Sequence, residues 1–281
     1  MTNLRKNFEI REYIGIVILI MISLVSSILF KDYIIQLHGA FLIVIPLFIG
    51  VVPGLIWLYF FYHKDKYEKE PVLVLVGVYV LSAVIAYFLS YQLESFIRTK
   101  LHYELEPLQL FFHSVLIYAC LQELIKFLVL RYSIYHSVEF NEPADGIIYG
   151  ATIGLGFATA YNTAYLYSLS GSLNLGVVIT RVIEFYLIQA SFTGVLGYFF
   201  GKAKFNSNPK KQERLVSKGF LFALLLNGLY RFISEMIRGT EFVAWRNIAI
   251  SSFFVLLVFV LLNILLKKLV ESSPFKKTNM E

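Results

Sequence analysis

Residues 108–130 read "LQLFFHSVLIYACLQELIKFLVL", 23 positions that hold one glutamate and one lysine. An α-helix needs about 20 predominantly apolar residues to cross the hydrocarbon core of a bilayer, so this stretch is long enough and apolar enough to span. Glu123 and Lys126 are the exception. Ionisable residues inside spans are costly, and they face the bundle interior and pair with one another. Three positions apart, these two share one side of a helix. The stretch therefore reads as a spanning helix with one polar edge turned away from lipid.

Working outward, seven more segments have the same character, at 13–30, 40–62, 72–91, 146–167, 175–201, 219–237 and 248–266. The 281-residue chain is 58% hydrophobic and 16% charged, with a mean hydropathy of +0.68, where a soluble globule carries about 25% charged residues. Strict alternation over about ten residues, the mark of a membrane β-barrel, is absent. The expected fold is all-α: a polytopic membrane bundle of about eight transmembrane helices, forming one integral membrane domain over residues 1–281. The first segment has the basic start of a secretion signal (Arg5, Lys6, Arg11), but it ends "SSILFKDY" without a small-x-small cleavage site. It reads as a retained anchor at 13–30, and 248–266 as the C-terminal helix. The single cysteine, Cys120, lies inside a span, so no intramolecular disulfide is expected.

Basic residues set the orientation. With eight spans, seventeen of them fall in one set of alternate connections and five in the other, the five being Lys31, Arg98, Lys100, Arg238 and Arg246. Lysine and arginine accumulate on the cytoplasmic side, so both termini are expected in the cytoplasm. The same bias accounts for the net charge of +6. No connection is long enough to fold into a basic nucleic-acid-binding domain. The expected partner from composition is the lipid bilayer, with no nucleic acid.

Three cation–anion pairs lie inside the spans: Glu123 with Lys126, Arg181 with Glu184, and Arg231 with Glu235, at spacings of three or four. They read either as self-neutralised pairs facing the bundle interior or as parts of a site, since intramembrane ionisable groups mark one by default. In the span after Asp145, Gly146, Gly150 and Gly154 recur every fourth residue, a strip along which another backbone can approach closely.

Several motifs occur in order: Pro53-x-x-x-Trp57, Asp65-x-Tyr67-x-x-Glu70-Pro71, Glu123-x-x-Lys126, "DGIIYGATIGLGFATAYN" from Asp145 to Asn162, and "TGVLGYFFG" at 193–201. Together they resemble the PrsW family, intramembrane metalloproteases related to the CAAX prenyl endopeptidases and bacteriocin-immunity membrane proteins. The resemblance covers about 53–232. It implies a helix bundle with a polar, metal-holding cavity that cleaves membrane-anchored proteins, a membrane anti-sigma factor being the best-known case.

The departures from that pattern bear on chemistry. The first glutamate of the family's Glu-Glu-x-x-Lys motif is Gln122 here, and the glutamate before Asn162 is Tyr161. A histidine expected ahead of the small-residue run is Gln189, and a later His-Gly-Leu-Tyr-Asp pattern appears as Asn227 to Arg231. Glu123, Lys126 and Asn162 remain at family positions. Zinc at a hydrolytic site takes about three imidazole, thiolate or carboxylate ligands from the protein, and a side-chain amide is no general base near pH 7.

The resemblance thus implies retained catalytic positions at Glu123 and Lys126 in a structural role. It implies a cavity formed by Gln122, Asp145, Tyr161, Asn162, Gln189, Asn227 and Arg231, with no metal ligands. The expected function is that of a catalytically degenerate family member that binds or scaffolds membrane helices without a cofactor. The alternative is an active intramembrane protease using zinc. A transporter or channel would instead need polar residues lining a path through several helices.

Overall fold

The computed structural model describes residues 32–64, 68–100, 106–238 and 244–271, with scattered positions between 17 and 30 and at 275. The expected anchor at 13–30 therefore lies largely outside the described residues. The remaining seven expected segments correspond to seven helices: α1 Phe41–Lys64, α2 Val72–Lys100, α3 Pro107–Ile134, α4 Asp145–Ser168, α5 Leu175–Lys204, α6 Pro209–Arg238 and α7 Ala244–Glu271. Among the described residues, 85% are helical. Two three-residue strands, β1 Ile34–Gln36 and β2 Ser172–Asn174, pair antiparallel across one end of the bundle, Ile34 opposite Asn174.

Helix starts follow local chemistry. Pro107 and Pro209 open α3 and α6, where the missing N–H would have had no intrahelical partner anyway. Asn174 caps α5, its Oδ1 accepting from the Val177 N–H at 3.1 Å, and Asn208 caps α6 by accepting from the Lys210 N–H at 3.0 Å. α2 and α3 contain stretches of wider π-type turns at Ala86–Tyr91, His113–Ala119 and Leu130–Ile134.

Among the described helices, α1, α2, α3, α5, α6 and α7 are long and apolar enough to cross a membrane. α4 is less apolar, and its place explains why: 20 of its 24 residues are buried. α5 packs along it, with α1 and α2 on its other sides, while α6 lies on α5 and α3, and α7 closes against α5 and α6. A helix shielded from lipid need not be lipid-like. The outward faces of α1 and α2, by contrast, expose Phe48, Ile56, Tyr59, Leu73 and Phe88. The chain is an integral membrane protein.

Lipid is as apolar as leucine, so helices in it associate by close packing and polar contacts. The α4 glycine strip supplies the first. A Cβ on Gly146, Gly150 or Gly154 would collide with the carbonyl oxygen of Gly197, Thr193 or Gln189, all on α5. α4 and α5 thus meet backbone to backbone.

Candidate functional site

The polar contacts converge between α2, α3, α4, α5 and α6. On α3, Glu123 and Lys126 are both fully buried, and the Lys126 ammonium donates to Glu123 Oε1 at 2.7 Å. It also donates to Gln189 Oε1 on α5 and sits 4.8 Å from the centre of the Phe157 ring. Glu123 Oε1 accepts a second bond, from Asn227 Nδ2 on α6 at 2.7 Å. The same Nδ2 donates to Gln122 Oε1 at 3.1 Å, so this amide's orientation is set by two acceptors. Glu123 Oε2 and Asn227 Oδ1 are buried without a hydrogen-bond partner among the described residues.

Gln122 links this group to a second one. Its Nε2 donates to Glu94 Oε2 at 2.9 Å, and the Tyr161 hydroxyl donates to the same oxygen at 2.9 Å. With its proton committed there, Tyr161 accepts from the Ser90 hydroxyl at 2.9 Å. Glu94 Oε1 takes Arg231 Nη2 at 2.7 Å and Arg98 Nη2 at 3.4 Å. Arg231, expected to pair with Glu235 on its own helix, forms an ion pair with Glu94 on another helix. Within the core of the network, Glu94 and Glu123 balance Lys126 and Arg231. That balance matters because an uncompensated charge at this depth is strongly destabilising.

Seven of the residues singled out from sequence therefore share one hydrogen-bonded network: Gln122, Glu123, Lys126, Tyr161, Gln189, Asn227 and Arg231. Asn162 does not join it. Adjacent helical residues point about 100° apart, so Asn162 is buried on another face of α4, beside Tyr186. Asp145 stands farther off, sixteen residues along the same helix from Tyr161, or about 24 Å. There its Oδ2 accepts from the backbone N–H groups of Asn141 and Glu142, both at 2.7 Å, and organises the α3–α4 connection. Nearby, the Tyr149 hydroxyl donates to Glu70 and Asn141 Nδ2 to Glu68 at 2.9 Å.

Glu94 is absent from the residues singled out by sequence because it lies in "QLESFIRTK", past the expected span 72–91, where polarity reads as a loop or a short interfacial helix. α2 instead continues through it to Lys100, and Glu94 is 5% exposed. The signals were present: residues 72–106 contain no proline after the helix start, and Arg98 follows Glu94 at the helical spacing of four.

A cavity of about 300 Å³ opens beside the network, bordered by Glu94, Tyr161, Gln189, Asn227 and Arg231. A sequence profile described as PrsW family intramembrane metalloprotease matches residues 70–265. That is well over half of the chain. The chain belongs to the PrsW family.

Curated relatives agree. Protease PrsW of Geobacillus kaustophilus (strain HTA426) is 32% identical over 189 residues, covering 66% of this chain and 77% of the relative. Protease PrsW of Bacillus subtilis (strain 168) is 32% identical over 186 residues, covering 66% and 80%. Protease PrsW of Clostridioides difficile (strain 630) is 29% identical over 185 residues, covering 66% and 77%. No solved structure matches the chain.

PrsW is a metalloprotease family, so the network can be tested for its fit to a metal. Among the described residues, no three or more His, Cys, Asp or Glu side chains gather where they could hold an ion. Glu123 presents one carboxylate, flanked by the Gln122, Gln189 and Asn227 amides, with an ammonium 2.7 Å from its Oε1. A divalent cation there would meet a fixed positive charge and neutral amide donors, which suit zinc poorly. The described residues around Glu123 fit a zinc ion poorly.

Proposed function

We propose that this PrsW-family protein binds a membrane-embedded segment of another protein and does not cut it. The observation that carries this reading is the state of Glu123, the carboxylate left at the family's Glu-x-x-Lys motif. Its Oε1 is taken by Lys126 and Asn227, and the positions around it are amides, a tyrosine and an arginine. Amide hydrolysis needs a water activated by a metal or a base. Here the carboxylate serves as a counter-ion that keeps a buried lysine satisfied. Polar groups of similar size hold the bundle interior together without the excess negative charge that several metal-free carboxylates would create.

A second reading, an active protease, is favoured by one feature: Glu123 Oε2 is buried with no hydrogen-bond partner among the described residues and could hold a water. One experiment separates the two. Full-length protein in proteoliposomes is incubated with a single-span substrate bearing an extracytoplasmic tag, and its zinc content is measured in parallel. We expect an intact substrate and no stoichiometric zinc. Cleavage abolished by Glu123→Gln would replace the binding reading with the catalytic one. We further propose the orientation read from the basic residues, with both termini in the cytoplasm. The cavity mouth then faces outward.

A further inference from the structure

At the other end of the bundle from the cavity, two acidic side chains are buried against each other. Glu70, two residues before α2, is 6% exposed, and Asp145, the first residue of α4, is 1% exposed. The Tyr149 hydroxyl donates to Glu70 Oε2, and Asp145 Oδ2 accepts the backbone N–H groups of Asn141 and Glu142. The two carboxyl groups also hydrogen-bond each other. Ionised carboxylates are acceptors only. That last contact therefore exists only while one proton lies between the two.

Among the described residues, other charges face the pair from each element around it. Glu68, bonded to Asn141, stands in the α1–α2 connection. Glu139 and Glu142 stand in the α3–α4 connection, and Lys204 at the end of α5. Lys204 donates to the Ser137 carbonyl oxygen at 3.1 Å and lies 4.6 Å from the centre of the Phe140 ring. From there its charge acts on both Asp145 and Glu70. With a shared proton the pair carries one negative charge, which this lysine faces. Without the proton it carries two, in a buried place where Glu142 adds a third. Two carboxylates sharing a site resist ionising together, and burial pushes the Asp145 carboxyl up to about 7.

We propose that Glu70 and Asp145 form a proton-operated latch between the α1–α2 connection and the start of α4, closed while they share a proton and open once it is lost. The joined helices matter to the site, because α2 carries Glu94 and α4 carries Tyr161, which meet at their far ends. In the orientation proposed above, the latch faces the cytoplasm. It does not depend on what the cavity binds.

The test uses full-length protein in phosphatidylcholine nanodiscs, in a Cys120→Ala background. Spin labels are placed on cysteines at Lys69 and Val138, exposed positions in the two connections that the latch draws together. Raising the pH from about 5.5 to about 8.5 should widen the distance between the labels by about 3 Å, the room one water needs. The same change should lower the unfolding midpoint. The folded state keeps a proton that the unfolded chain gives up near pH 4, so stability is lost as pH rises from there through about 7. Asp145→Asn and Glu70→Gln keep the contact without a shared proton, because the amide donates to the remaining carboxylate while its oxygen accepts the donors already in place. Both variants should hold the short distance at either pH. The wild-type midpoint should fall by at least about 3 °C more than theirs. A wild-type distance that does not change, or a change of equal size in both variants, overturns the proposal.

Discussion

Lys126 and Glu123 are fully buried and 2.7 Å apart. Removing one partner of such a pair strands the other charge, which costs about 3–5 kcal/mol, whereas replacing both with apolar residues of similar size is often nearly neutral. We predict that Lys126→Met lowers stability by about that amount. The double variant Lys126→Met, Glu123→Leu should regain most of the loss, as measured by unfolding in detergent. If both lose the same amount, the pair is not what holds these helices. Glu94 gives a second case. With four donors aimed at it, Glu94→Gln should cost less than Glu94→Leu, because the amide oxygen keeps some of those bonds, while both variants remove this counter-charge from Arg231.

At the scale of elements, the contact between α4 and α5 depends on atoms that are absent. A Cβ at Gly150 would meet the Thr193 carbonyl oxygen and the Cα of Gly197, and both are backbone. A helix axis must move to make room, and overpacking of this kind costs about 1–3 kcal/mol. Gly77 on α2 serves as the control, since a Cβ there meets nothing within 4 Å. We expect Gly150→Ala to lower the unfolding midpoint clearly and Gly77→Ala to leave it unchanged or slightly raised. A shift of equal size in both would mean that helix propensity, and not the backbone contact, sets the response. The α4 strip matters for the site as well, because Gly154 lies against Gln189 and so brings α5 close enough for Gln189 to reach Lys126.

For the whole molecule, the ends of the helices sort the charges. Lys64, Lys202, Lys204 and Lys210 lie at helix ends on one face of the bundle, and Arg98 and Lys100 at the end of α2 on the other. Ser172 is in the exposed strand pairing at the second face, and Ser207 is in the α5–α6 connection at the first. In a Cys120→Ala background, a cysteine at Ser172 should react with a membrane-impermeant reagent added to intact cells, and one at Ser207 should not. The opposite pattern would reverse the orientation and turn the cavity mouth toward the cytoplasm.

How much of this was legible before the fold depends on the range of the interaction. Spans, basic asymmetry, the glycine strip and the Glu123–Lys126 pair are local properties, readable because hydrocarbon thickness and helical spacing act on neighbours in the chain. The motifs also pointed to most of the network, because Gln122, Gln189 and Asn227 occupy positions defined by sequence order. Glu94 escaped because its charge suggested solvent, and only α6, arriving with Arg231 from 137 positions away, makes burying it tolerable. Tyr161 and Asn162 show the same limit. Adjacent in sequence, they separate because α4 is enclosed on every side, so each residue's neighbours are chosen by which helix lies there. Sequence alone determined that the chain crosses the membrane and which family it belongs to. The tertiary structure decided which charges meet, because in a medium without water a buried ion persists only where another helix brings its counter-charge.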